Sequence, residues 1–271
     1  MKDLKGKVVL VTGAGRGMGE LHARNFAKEG ARVVLTDVDE EAVKAAAQYI
    51  RDQGGEAHAY LADISDRSSC FALEKSVASE IGPVDVLINN AGIVECEGLL
   101  AMSESAIRRI TDVNYLGQVW MMQAFLPSMI ERKSGHVVNI CSVAGKVGTA
   151  MLGAYCATKF AMIGVTDAVR HELRKSKVKF TIVNPGYIAT GMFQGAKVPL
   201  ITRWQDPQKV ADALIDGVKK GHAEICVPRF VVRATAFARG LCLPKLTDPI
   251  FFLLRAHKSF ATWKKDTERP F

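Results

Sequence analysis

The chain has 271 residues, 48% of them hydrophobic, which is enough to bury the core of one large domain. Six cysteines, at 70, 96, 141, 156, 226 and 242, show no C-x-x-C pair and no metal-ligand spacing, which argues against a zinc module or a disulfide scaffold and for reduced thiols in the cytoplasm. Of the formal charge of +8, a net +6 falls after residue 228, where nine Lys or Arg stand against three acids, so the body is near neutral and presents no nucleic-acid face.

Met1 leads through Lys2, Asp3 and Lys5 into a strand, without the pattern of a signal peptide or anchor. Lys7 to Thr12 is a short β-branched run ending in G-A-G-R-G-M-G, the look of a buried parallel strand turning tightly into a helix. Glu20 to Gly30 follows with a helical period, Leu21, Phe26 and Ala27 pointing inward. Arg32 to Thr36 is a second strand closing on Asp37, Glu40 to Gln53 a second helix, and Glu56 to Asp63 a third strand.

The alternation continues through a helix at Ser68 to Ile81, a strand at Val84 to Asn89, and a helical stretch with an internal break from Ser103 to Arg132. The uncharged run Val113 to Ile130 holds Asn114, Gln118, Gln123, Pro127 and Ser128, so it reads as a buried helix rather than a membrane span. Then come a strand at His136 to Cys141, a helix at Leu152 to Lys175, a strand at Lys179 to Val183, a helix at Pro207 to Lys220 and a strand at Glu224 to Val227. Strands alternating with helices predict a single doubly wound α/β domain with a seven-stranded parallel sheet over 1–228, followed by a basic, apolar extension over 229–271.

The first strand-to-helix turn carries Gly13, Gly15, Gly17 and Gly19, with Met18 where the last glycine of G-x-G-x-x-G would stand. Glycines allow a sharp turn and close approach to a pyrophosphate, whose charge is met by amides at the helix start. Asp37 lies eighteen residues beyond Gly19, near the ~20 expected of a carboxylate that holds an adenine ribose. It would repel a 2′-phosphate and so favours NAD, whereas Arg16 could receive that phosphate and leaves NADP open. Tyr155 and Lys159, four apart, share one face of a helix that begins near Leu152. A glycine-broken loop lets Ser142 fold back towards them, and a phenol beside an amine is an arrangement for moving a proton.

T-G-A-G-R-G-M-G (12 to 19), N-N-A-G (89 to 92), Asn114, Ser142, Y-C-A-T-K (155 to 159) and P-G-Y-I-A-T (185 to 190) together resemble the motifs of the short-chain dehydrogenases/reductases, in order and over the first 228 residues. Y-C-A-T-K-F, H-E-L at 171 to 173 and T-G-M-F-Q-G at 190 to 195 resemble the branch with retinol dehydrogenases and 17β-hydroxysteroid dehydrogenases. Many of that branch carry an amino-terminal hydrophobic anchor, and no such anchor is expected from the run that opens this sequence.

The resemblance implies a homodimer or homotetramer that moves a hydride between NAD and an alcohol or carbonyl. It implies that Tyr155 is the general acid/base, with its pKa, ordinarily ~10, lowered by Lys159 and the nicotinamide charge. Lys159 would also bond the nicotinamide ribose, and Ser142 would polarise the substrate oxygen. Asn114 would hold a water in line with Lys159, or simply bond backbone inside its helix. Asp63 with the Ile64 amide would meet the adenine amino group, unless Asp63 is a solvated turn residue. Asn89, Ala91 and Gly92 would underlie the adenosine ribose, while Pro185, Gly186, Ile188 and Thr190 would border the nicotinamide.

Val94, Val143, Met151, Tyr187, Met192 and Phe193 are candidate walls of a substrate pocket, mostly apolar and suited to a lipophilic alcohol such as a retinoid, a steroid or a long-chain alcohol. An NADPH-dependent reductase of small ketones and a non-catalytic dinucleotide sensor are the rival readings. In the extension, Phe230 to Leu243 and Ile250 to Trp263 mix apolar and basic residues, which suits either peripheral contact with a membrane or a cover over the pocket or a dimer interface.

Overall fold

The computed structural model of the protein describes residues 1–193, 195–198 and 204–240. Strand β1 (Val8–Thr12) is buried at every position, as a strand covered on both faces must be. From it the chain runs through helix α1 (Gly17–Lys28), β2 (Arg32–Asp37), α2 (Glu40–Asp52) and β3 (Glu56–Leu61), which builds one half of the sheet outward. Helix α3 (Arg67–Glu80) then carries it back so that β4 (Val86–Asn89) pairs with the other side of β1. Beyond β4 come α4 (Glu104–Thr111), α5 (Gln118–Glu131), β5 (His136–Ile140), α6 (Gly153–Glu172), β6 (Lys179–Pro185), α7 (Pro207–Lys220), β7 (Glu224–Val227) and α8 (Arg229–Gly240).

All seven predicted strands are present, every ladder is parallel, and their order is β3-β2-β1-β4-β5-β6-β7. The reversal of winding direction between β1 and β4 opens a crevice at the carboxyl ends of the strands, the place where such sheets hold ligands. β1 divides its side chains between two cores. Val9 and Val11 join Phe26, Ala47 and Leu214 on one face, while Val8 and Leu10 join Leu73, Val77, Met129 and Met162 on the other. The inward face of α1 differs from the expected one: His22 and Ala23 accompany Phe26 in full burial, and Leu21 and Ala27 are half-buried.

The predicted break inside 103–132 is a π-helical stretch, Asp112–Gly117, between α4 and α5. Its last residue must be small, because a Cβ at Gly117 would stand 2.8 Å from the Ile64 carbonyl oxygen. Asp39, Asp66, Ser103 and Asp206 cap α2, α3, α4 and α7 by accepting a backbone N–H. Helix α1 begins differently: the residue before it, Arg16, makes no side-chain cap, so its first amides stay available. No helix among the described residues is long and apolar enough to cross a membrane. Of the predicted extension, 229–240 forms α8; 241–271, with the segment Ile250 to Trp263, lies outside the described residues.

Candidate active site

Thr12, at the carboxyl end of β1, fastens the first turn. Its hydroxyl accepts from the Asn90 and Ala91 amides, each at 3.0 Å, and the Asn90 side-chain amide donates to the carbonyls of Thr12 (2.9 Å) and Gly13 (3.2 Å). Gly13 and Gly17 hold φ of 61° and 62°, in the left-handed region that favours glycine. A Cβ at Gly19 would lie 2.0 Å from the Gly13 oxygen, so the turn closes on itself there. The open side of the turn, at Gly15 to Met18, meets the uncapped start of α1. Such a cradle of backbone amides fits a pyrophosphate, and the residues present fit a dinucleotide.

Asp37 ends β2 against this turn: one carboxylate oxygen accepts from the Gly15 amide at 2.9 Å and the other from the Asp39 amide at 3.2 Å. Arg16 is exposed beside it. Asp63 is exposed at a turn, where one carboxylate oxygen accepts from the Ser65 amide (2.9 Å) and hydroxyl (2.7 Å), and Ile64 beside it is buried. Thr190 faces the glycine turn across the crevice, its Cβ 3.8 Å from where a Gly17 side chain would begin. Pro185 ends β6, the Gly186 amide donates to Val227, and Ile188 is buried and bridged to Gln205.

Asn89 does not line the cleft with its side chain. It is wholly buried within the sheet, where its amide donates to Asn139 at 2.8 Å, and Asn139 in turn donates to Thr166 at 2.8 Å. Successive side chains at the end of β4 point to opposite sides, so the neighbouring Asn90, not Asn89, bonds the glycine turn.

Ser142 follows β5 and caps a short 3₁₀ turn, Val143–Gly145, by accepting the Ala144 amide at 3.1 Å. Its side chain also faces the Tyr155 hydroxyl, whose ionised form it favours. Tyr155 and Lys159 share the inner face of α6 and are 5% and 3% exposed. The Lys159 ammonium donates to the Ile140 carbonyl at 2.9 Å and stands 5.6 Å from the Tyr155 ring centroid. Gly92 keeps this corner open, because a Cβ there would lie 3.6 Å from that ammonium.

The expected lowering of the Tyr155 pKa is not found in the protein alone. Burial of the phenol pushes it well above its ordinary value, and the Ser142 hydrogen bond offsets only part of this. Burial likewise lowers the pKa of Lys159. Asn114, in the π-helical stretch, bonds backbone: its oxygen accepts from the Ile93 amide at 2.8 Å and its nitrogen donates to the Ile93 carbonyl at 2.8 Å. Its side chain thereby clamps the strand-to-helix loop that begins at Asn90.

Next to Tyr155 lies a shallow cleft, about 260 Å³ with the open solvent at its mouth included, lined by Ser142, Val143, Ala144, Thr149, Leu152, Tyr155, Gly186, Tyr187 and Phe193. Of the expected walls, Val143, Tyr187 and Phe193 line it, and Val94 and Met192 pack behind against the same apolar cluster. Met151 sits outside that lining, 37% exposed at φ 68°, its carbonyl accepting the Glu97 amide. Thr149 and Leu152 are wall residues that sequence reasoning missed. A row of edge-on rings leads outward from the phenol, Tyr155 to Phe193 at 6.1 Å, Phe193 to Tyr187 at 6.2 Å and Tyr187 to Trp204 at 6.2 Å.

A buried phenol beside a serine hydroxyl, a lysine behind it and a phosphate cradle across the same crevice define an NAD(P)-dependent oxidoreductase. The model of the family described as short chain dehydrogenase matches residues 7–198, and the chain belongs to that family. It is 39% identical over 236 residues to mouse epidermal retinol dehydrogenase 2, covering 85% of this chain and 76% of that one. To rat 17-beta-hydroxysteroid dehydrogenase 13 it is 35% identical over 235 residues, covering 85% and 77%.

Among solved structures it resembles a short chain dehydrogenase/reductase from Burkholderia phymatum in complex with NAD, with a TM-score of 0.83 at 26% identity, covering 91% of this chain and 97% of the other. It also resembles a metagenomic short-chain oxidoreductase in complex with NADP, with a TM-score of 0.73 at 33% identity over 82% and 97%.

Proposed function

We propose that the protein interconverts a lipophilic secondary or allylic alcohol and its carbonyl with NAD(H). The observation that carries this reading is the lining of the cleft. Apart from Ser142, Thr149 and the phenols of Tyr155 and Tyr187, it offers a substrate only apolar side chains and glycine. The names of the relatives, a retinol dehydrogenase and a hydroxysteroid dehydrogenase, support the same substrate class.

Bound NAD supplies a hydride acceptor, and NADH a donor. The glycine turn and the start of α1 would hold its pyrophosphate, and Asp37 its adenine ribose, where the carboxylate opposes a 2′-phosphate. Ser142 would hold the substrate oxygen within reach of Tyr155, whose phenolate would take the alcohol proton and whose phenol would return it to the carbonyl. Lys159, fixed by Ile140, keeps a positive charge behind the phenol that favours its ionised form, and Phe193 with Leu152 excludes water. Residues 1–228 form the catalytic unit in this reading, and 229–271 an extension to it.

Nicotinamide absorbance, followed with NAD and NADP against retinoids, steroids, long-chain alcohols and small ketones, tests the proposal. Turnover is expected with NAD and a lipophilic alcohol. Faster turnover with NADPH on small polar ketones would replace it with the reductase reading.

A further inference from the structure

We infer that the carboxyl edge of the sheet, around the mouth of the cleft, docks on an anionic phospholipid surface. The large apolar side chains left in solvent are concentrated on segments that leave this edge. Leu99 and Leu100 follow β4, and Leu100 is fully exposed; Met151 follows β5; Trp204 follows β6; Phe230 and Phe237 follow β7. Three links tie them to the cleft itself. The Met151 carbonyl accepts from Glu97, which draws the 97–100 turn beside the residue that precedes Leu152 of the wall. The Trp204 ring meets Tyr187, another wall residue. The Val227 carbonyl accepts from the Gly186 amide, which brings the start of α8 against a third.

Single exposed apolar residues need no explanation, but a set gathered around one opening does. Phe230 and Phe237, 82% and 70% exposed, lie two helical turns apart on one face of α8. The charge on the same edge selects the occupant. Among the described residues, Lys197, Arg229 and Arg233 are exposed there, and α8 contains no acid. Aromatic and aliphatic side chains interspersed with arginine suit the boundary of headgroups and acyl chains, and clustered basic residues are drawn to anionic lipid by about 1 kcal/mol each near the surface. The inference rests on the lipophilic-substrate reading only for its use, since a docked mouth would receive its substrate from the acyl layer without a passage through water.

Co-sedimentation of the full chain with vesicles tests it without substrate, so this inference and the substrate reading can fail separately. The chain is expected to sediment with phosphatidylcholine vesicles containing about one third phosphatidylserine, and less with phosphatidylcholine alone or in high salt. Leu100→Asp combined with Phe237→Asp should weaken that binding roughly tenfold, with NADH binding and the thermal transition unchanged because both positions are exposed. Failure of the wild type to bind either vesicle would overturn the inference, as would equal binding by the double variant. A change of oligomeric state in light scattering, without vesicle binding, would assign the face to a second copy of the chain instead.

Discussion

Tyr155 is held in its neutral form by burial, with the Ser142 side chain beside it and a lysine whose ammonium donates to the Ile140 carbonyl. Removing the phenolic oxygen deletes the proposed proton carrier and leaves the glycine turn at Gly13 to Gly19 untouched. Tyr155→Phe is therefore expected to lower turnover by about 10³-fold while NADH still binds with its usual fluorescence enhancement; retained turnover would reassign the base. The grouping of Tyr155, Lys159 and Ser142 was legible not from the four-residue spacing alone, which many helices share, but from the glycine turn before it and the P-G-Y-I-A-T run after it. The choice between Asn89 and Asn90 was not legible. Both are polar and adjacent, and only the pleat of β4, which sends Asn89 to Asn139 and Asn90 to Thr12, separates them. His22 was equally hidden, since no pattern of polarity marks a histidine for the fully buried face of α1.

At the scale of elements, the turn between β1 and α1 works as one piece with the end of β4. Gly13 approaches Ala91, Gly19 approaches both Gly13 and Asn90, and Thr12 takes two amides from the 90–91 segment. A methyl at position 19 has no flexible neighbour to displace, because it meets backbone at 2.0 Å. Gly19→Ala is expected to cost about 2 kcal/mol of stability and to abolish dinucleotide binding, measured by denaturant titration and NADH fluorescence. A variant that binds NADH normally would show that the cradle is elsewhere. The strands and most helix ends could be read in advance, since β-branched runs and Asp or Ser caps are local signals. The π-helical stretch could be anticipated only as a break, because its cause, the approach of Gly117 to Ile64, joins residues 53 apart in sequence.

For the whole molecule, two buried histidines set an acid limit. His22 has neither ring nitrogen partnered, and burial lowers its pKa to about 3. His136 lies 2.7 Å from the Thr181 hydroxyl, which itself donates to the His222 carbonyl, so His136 donates through Nε2; burial lowers its pKa to about 3 as well. In the unfolded chain both titrate near 6.5, so between that pH and 3 the unfolded state binds more protons. Stability should then fall with falling pH, by up to about 1.4 kcal/mol per histidine per pH unit. Denaturant midpoints at pH 7 and pH 5 measure this, and His22→Leu should flatten the slope; no change between the two pH values would mean that these rings protonate within the fold.

The ring row from Tyr155 through Phe193 and Tyr187 ends at Trp204, one of three tryptophans in the chain. That gives the cleft an optical signal of its own. A molecule entering between Tyr187 and Phe193 alters the surroundings of the indole, so Trp204 emission can time the arrival of a substrate before any change in nicotinamide absorbance records its conversion.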